Sequence, residues 1–362
     1  MKKLFALLMA VMMCVCMVSG LAETAGEAYK IGVVIPLSGN FAFFSAYFSP
    51  ILDIYVKDLN EAGGINGHPV ELVYKDNQGD ATITAQRLDE LLEENVSAVI
   101  GPFMDTCGPA AAQWATENKI PVVMCCALST EIGMANQSDY VFCAGSSAWA
   151  WAKVFANAVN AAGYESAYYV GNEGGVPDDV YNFFWEEMEK LNPDVENIGS
   201  VRLSGTESDL SSVIASIMMA DPDVVVTSLT GGGAITFISQ AVQFGLYDDS
   251  DMYGVYIEGA DHTESLADSY PCGSIWAIDW FPVNFAATQD WAEEIYNAAG
   301  GVIPNGASFN FYMAAATICE ALKTMDFEAR FDSDKLVEAL EQIKVASPLD
   351  GYECYYTDYS HQ

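Results

Sequence analysis

Short apolar runs bounded by glycine or proline alternate with stretches whose apolar residues recur at helical spacing, and the alternation runs through this chain twice. A continuous run of about five apolar residues suits a strand covered on both faces. A helix between two such strands supplies the crossover that parallel pairing needs. Ile31-Gly32-Val33-Val34-Ile35 is the first run, stopped by Pro36. Phe44, Phe48, Ile51, Leu52, Tyr55, Val56 and Leu59 then mark a helical stripe, which Gly63-Gly64 ends. A strand is expected over Val70 to Tyr74, and Ile83, Leu88, Leu91 and Leu92 mark the next helix. Ala98-Val99-Ile100, a helix over Pro109 to Glu117 and a strand over Pro121 to Met124 complete one doubly wound unit by about residue 145.

The pattern then restarts. A helix over Trp149 to Ala161 leads to a strand over Ser166 to Val170, and a helix carrying Phe183, Phe184, Met188 and Leu191 leads to Val201 to Leu203. Leu210, Val213, Ile214, Ile217 and Met218 form one stripe ahead of the valine-rich Asp223 to Ser228. A helix over Ala234 to Phe244 and strands over Met252 to Ile257 and Ser274 to Ile278 close the second unit. Three further helical segments, at 288–299, 308–325 and 333–343, bring no β-rich unit of their own. Helices without a sheet must pack on an existing one, so the chain is expected to cross back to the first unit. The fold class is therefore α/β, two Rossmann-like doubly wound lobes joined by a multi-strand hinge. Lobe 1 is expected over 28–146 and 281–346, and lobe 2 over 147–280 and 347–362, with crossings near 145–148, 278–283 and 345–350.

The first 22 residues read as an export signal. Lys2 and Lys3 make a positive start, Leu4 to Val18 is uninterruptedly apolar, and Ser19-Gly20-Leu21-Ala22 offers a cleavage site. The apolar run is shorter than the ~20 residues of a membrane-spanning helix. Cys14 and Cys16 follow Met13 and Val15 rather than a small residue, so a lipid anchor is the second reading. An exported protein, in the periplasm or at the cell exterior, is the expectation.

Fifty acids against 14 lysines and arginines leave a net charge of −36. Phosphate backbones and anionic membrane surfaces need basic clusters, and the chain has none. Solubility alone accounts for the acidity; a field favouring cationic or neutral ligands is the sharper reading. Beyond the signal lie Cys107, Cys125, Cys126, Cys143, Cys272, Cys319 and Cys354, an odd number without CxxC spacing. That favours buried free thiols over a disulfide framework. His68, His262 and His361 stand at no ligand spacing, so neither a metal nor a cofactor is expected. No Ser-His-Asp or Cys-His arrangement emerges, and Glu93-Glu94 and Glu186-Glu187 read as solvated helix faces. A binding protein fits better than an enzyme.

Several stretches resemble the leucine/isoleucine/valine-binding family of transporter receptors, with the type I periplasmic-binding fold. They are Ile31-Gly32-Val33-Val34-Ile35-Pro36-Leu37-Ser38-Gly39, Asn60-Glu61-Ala62-Gly63-Gly64-Ile65-Asn66-Gly67, Asp76-Asn77-Gln78-Gly79-Asp80, Val99-Ile100-Gly101-Pro102 and Glu207-Ser208-Asp209-Leu210. The resemblance spans nearly the whole chain after the signal and thins after residue 280. It implies a monomeric protein that captures a small amino-acid-like, amide or amine ligand and hands it to an ABC permease in the membrane. A ligand sensor docking on a signalling receptor is the alternative.

By the same resemblance, Phe44 falls where an aromatic covers the ligand, although it also begins the core stripe of its helix. Phe103, Asp105 and Thr106 follow Gly101-Pro102, where the family holds the ligand carboxylate with a hydroxyl. Asp105 takes that position here, or else caps the helix that follows. Cys126, Ala127, Leu128 and Ser129 fall on the next wall, with Leu128 at a threonine position unless the register slips to Ser129. The vicinal Cys125-Cys126 pair reads as burial at a strand end before any redox role. In the second lobe Val176, or Gly175, replaces a family tyrosine and Thr230 another, ahead of Gly231-Gly232-Gly233. Glu258 matches the acid that takes the ligand's ammonium group. Trp149 and Trp151 both flank the first crossing, and either supplies an aromatic wall or packs in a helix core.

Overall fold

The computed structural model describes residues 27–39, 41–125, 138–145, 147–204, 207–229, 231–255, 275–277, 289–301, 306–347 and 353–356. Five parallel strands form the first sheet: β1 (Tyr29–Ile35), β2 (Val70–Asp76), β3 (Ala98–Ile100), β4 (Val122–Met124) and β5 (Val141–Cys143), in the order β2-β1-β3-β4-β5. Between them run α1 (Ser45–Glu61), α2 (Ala81–Glu94) and α3 (Gly108–Asn118). β5 has no counterpart among the expected strands. It is three residues long and leads into Ala144-Gly145-Ser146-Ser147, so it offers too short a pattern to read.

The second sheet is again parallel, in the order β10-β9-β8-β6-β7. Its strands are β6 (Ser166–Asn172), β7 (Glu196–Leu203), β8 (Val224–Ser228), β9 (Asp251–Val255) and β10 (Ile275–Ala277). Its helices are α4 (Ala148–Ala162), α5 (Gly175–Leu191), α6 (Ser211–Ala220) and α7 (Gly231–Phe244). Then come α8 (Gln289–Ala298), α9 (Gly306–Lys323) and α10 (Ser333–Gln342), with β11 (Val345–Ala346) and β12 (Glu353–Cys354) paired antiparallel.

Both sheets sort their side chains with a period of two, which is why the strands read as unbroken apolar runs. Tyr29, Ile31, Val33 and Ile35 of β1 enter one core with Ala98 and Ile100, while Val34 and Val99 enter another with Leu88 and Leu91 of α2. Gly32 is the exception on β1 because Leu91 lies against it; a Cβ there would meet the Leu91 Cδ1 at 2.5 Å. In the second sheet Tyr169, Val224, Val226 and Tyr253 pack with α4 and α5, and Val170, Val225 and Met252 with α6 and α7.

The helices beyond the second sheet pack on the first. Phe311, Ala314, Ile318 and Leu322 of α9 and Leu336 and Leu340 of α10 share the core of Tyr29, Phe48 and Ile51. Of the stretch 347–362, the described residues 353–356 bring β12 alongside β11 and bury Tyr356 in that same first core, its ring 4.9 Å from Phe142.

The stretch 60–67 joins α1 to β2 by a tight reversal. Asn60 accepts from the Val70 N–H at 2.8 Å and donates to the Val70 carbonyl at 2.9 Å, so one side chain brackets the start of the strand. Gly64 has φ +72, and a Cβ there would stand 2.1 Å from the His68 carbonyl oxygen. Only glycine fits so close an approach at that backbone angle.

Candidate functional site

Connectivity places a cleft. β5 ends at Cys143 on the carboxyl edge of the first sheet, and α4 begins at Ala148. α4 leads into β6 and runs antiparallel to it, so its first turn lies at the carboxyl edge of the second sheet. Five chain steps reach at most roughly 18 Å, so the two carboxyl edges stand close to one another at this crossing. In each sheet the strand order reverses once. The chain goes from β1 to β2 on one side and to β3 on the other, and from β6 to β7 and then to β8. Loops diverge at such switch points and leave a crevice at the carboxyl ends of the strands. The loops after β1, β3, β6 and β8 are therefore the walls.

On the first lobe, Asp76 at the end of β2 fastens the loop after β1. Its Oδ1 accepts from the N–H groups of Leu37 at 2.9 Å, Ser38 at 3.2 Å and Gln78 at 3.0 Å, and its Oδ2 accepts from the Ser38 hydroxyl at 2.5 Å. Partial burial pulls this carboxyl's pKa up, but the hydrogen bonds from Ser38, Gln78 and Leu37 outweigh it and hold the group below its usual range. Asn77, fully buried, adds a bond to the Thr84 hydroxyl at 3.0 Å, and the Ser45 hydroxyl donates to the Pro36 carbonyl at 2.6 Å. Thus the stretch 76–80, matched to a family motif by sequence, acts as the fastener of the neighbouring wall.

Phe44 is half-buried and packs on Phe103 with ring centroids 4.5 Å apart. Phe103 is only 6% exposed, lies 4.5 Å from Phe48, and so backs the wall. The packing reading of Phe44 is the one the contacts show: it joins the aromatic stack that ends at Phe311, 4.2 Å from Phe48. Asp105 opens a short 3-10 turn, Asp105–Cys107, with its Oδ1 buried, and Thr106 beside it is exposed. Asp105 does not cap α3: the residue before that helix is Cys107, and no side chain caps it. Cys125 at the end of β4 is fully buried, and burial, reinforced by Cys143, pushes its thiol far above the usual range. That suits a packing role. Cys126, Ala127, Leu128 and Ser129 lie outside the described residues, as do Thr230 and Glu258.

On the second lobe α4 and α5 start side by side. Ser147 caps α4, its hydroxyl accepting from the Ala150 N–H at 3.2 Å. Trp149 is 47% exposed with the Lys153 ammonium 4.3 Å from the centre of its ring. Trp151 is 8% exposed and packs in the core of that lobe, where its indole Nε1 has no hydrogen-bond partner among the described residues. Val176, in the first turn of α5, packs against the same core. The Tyr169 hydroxyl meets the Ser228 hydroxyl at 2.5 Å and donates to the Pro177 carbonyl at 2.7 Å, which ties the start of α5 to the end of β8. Sequence reasoning passed over Tyr169 and Ser228, because a tyrosine inside an apolar strand carries no mark of its hydroxyl's partner.

The arrangement offers two walls with hydroxyls, carboxylates, aromatic faces and helix starts, and a short crossing between them. Such groups at the carboxyl edges of two sheets suit the binding of a small molecule between them. A family model described as periplasmic binding protein matches residues 28–358. The Leu/Ile/Val-binding protein homolog 7 of Brucella abortus is 25% identical over 349 residues, covering 90% of this chain and 83% of the relative. An ABC transporter substrate-binding protein from Sphaerobacter thermophilus is similar in structure, with a TM-score of 0.79 at 19% identity over 92% of this chain and 91% of the other. A solute-binding protein of an ABC transporter from Rhodopseudomonas palustris BisB5, in complex with 3,4-dihydroxy benzoic acid, gives a TM-score of 0.75 at 18% identity, covering 92% and 90%.

Proposed function

Because residues 28–358 match its model, the chain belongs to the periplasmic binding protein family, and from that premise we propose that it captures an ammonium-bearing or neutral amide ligand and delivers it to an ABC permease. The structural neighbours from Sphaerobacter thermophilus and Rhodopseudomonas palustris are solute-binding proteins of ABC transporters, and membership of the periplasmic binding protein family supports work outside the cytoplasm.

The observation that carries the ligand class is the charge of the walls. None of the 14 lysines and arginines falls in 36–44, 101–107, 125–130, 144–147, 172–176, 228–233 or 256–260, whereas Asp105, Glu173 and Glu258 do. Wall loops that carry acids and no bases set up a field that favours a ligand cation over an anion. Asp105 also stands where the family resemblance puts a hydroxyl for the ligand's carboxylate, and one carboxylate repels another. An amino acid still fits if Thr106, Ser129 and backbone N–H groups meet its carboxylate.

Calorimetry decides the matter with three probes. L-leucine and L-leucinamide should release or absorb heat on binding, and 3,4-dihydroxybenzoate should not. Tight binding of the benzoate without binding of either ammonium compound would overturn the proposal.

A further inference from the structure

We propose that Tyr169 is a positioning residue for ligand capture: acting through Ser228 and Pro177, its hydroxyl links the wall after β6 and the wall after β8 into one unit. The inference rests on the reading of the cleft given above. It adds a buried residue that shapes two walls without belonging to either.

The hydroxyl protons give this link a direction. Tyr169 lies within β6, is 1% exposed, and has one hydroxyl proton for two partners. The Pro177 carbonyl can only accept, so the tyrosine proton goes there, across 2.7 Å. The Ser228 hydroxyl, 2.5 Å away, then donates to the tyrosine oxygen. One chain of hydrogen bonds thus runs from the end of β8 through β6 to the first turn of α5. Burial pushes the Tyr169 pKa above its ordinary value, against the smaller pull of Ser228 and Arg202, so the hydroxyl remains a donor at neutral pH.

The ring is held as firmly as the hydroxyl. The Arg202 guanidinium near the end of β7 stands 4.7 Å from the ring centre, and its Nε donates to the Asp178 carboxylate of α5 at 2.7 Å. Tyr181 of α5 meets the ring edge-on at 5.2 Å. The wall after β6 is therefore fastened at both ends, since the Glu173 N–H donates to the Leu203 carbonyl at 2.8 Å. Gly171 leaves room for the hydroxyl pair: a Cβ there would stand 2.9 Å from both the Ser228 Oγ and a Tyr169 ring carbon. A phenylalanine at 169 would fill the same core, so the hydroxyl serves the walls and not the packing. Walls already fixed lose less conformational freedom when a ligand arrives.

Tyr169→Phe, Ser228→Ala and the double variant test the link, with melting curves to show that each still folds. In calorimetry each single variant should weaken L-leucine by about five-fold, and the double variant by little more, because the two hydroxyls act as one chain. Amide exchange of the ligand-free protein supplies a second readout. Each single variant should raise exchange both at 178–182 in α5 and at 227–229 at the end of β8, including the segment it does not alter. Unchanged L-leucine affinity, strictly additive losses, or faster exchange confined to the segment beside the substitution would overturn the positioning role and leave the cleft reading intact. Should L-leucine give no heat with the unsubstituted protein, that ligand reading falls, and exchange alone decides the link: a rise in both segments upholds it and a rise in one overturns it.

Discussion

Asp76 carries four hydrogen bonds from the loop after β1 and the turn after β2, and it does so as a carboxylate. Protonation or amidation removes acceptor strength at that point, so Asp76→Asn should cost about 1–2 kcal/mol. The pH dependence follows from the depressed pKa. The unfolded chain binds the proton at higher pH than the folded one, so the contribution is complete above the ordinary value of 3.8 and fades as pH falls through the lower folded value. Melting temperatures of wild type and Asp76→Asn should therefore differ by a constant amount from pH 7 to pH 5 and converge below 3.8. A gap that persisted into strong acid would show that the carboxylate's charge is not what holds the loop. Trp151 is the opposite case: its buried indole N–H has no partner among the described residues, and an unmet buried donor costs about 1–3 kcal/mol.

At the scale of elements, α9 supports the first lobe from far along the chain. Phe311 is fully buried and stacks on Phe48 of α1 at 4.2 Å, and Phe48 supports Phe103 behind the wall. A helix distant in sequence thus backs the site that the first strands build. Phe311→Ala should cost about 3–5 kcal/mol through the cavity it leaves. Amide exchange locates the loss: protection should fall in β1 and β3 and stay unchanged in β6 and β8. An even loss across both sheets would mean that α9 does not serve the first lobe in particular.

For the whole molecule, the relevant quantity is the freedom of one lobe relative to the other. Residues 144–147 make the first crossing, and neither flank is an extended linker: Cys143 is paired in β5 and Ser147 caps α4. Motion of the lobes about this crossing is therefore expected to be hinge rotation about a short segment rather than tethered diffusion. Saturating L-leucine should reduce the radius of gyration in small-angle scattering. An unchanged radius, with calorimetry showing the ligand bound, would rule out closure of the cleft.

α4 shows where legibility stopped. Ala148-Trp149-Ala150-Trp151-Ala152 is apolar all round, so periodicity announces a helix and leaves open which tryptophan turns inward. Contact with α5 and the second sheet made that choice, burying Trp151 and leaving Trp149 to Lys153. The order of strands and helices was readable because each is a local pattern: a run covered on both faces, a stripe, a glycine where the backbone turns left-handed, as at Gly64. Asn60, Gly64 and Asp76 could be matched to motifs for the same reason. The brief β5 and the partners of Asp76, Tyr169 and Ser228 could not be read, since a hydrogen bond across strands depends on register and on which strands are neighbours. The sequence by itself determined the kind and succession of elements, and with them the α/β class. Only the tertiary structure decided which side chains meet at the carboxyl edges, because those contacts join residues far apart in the chain and no local pattern records them.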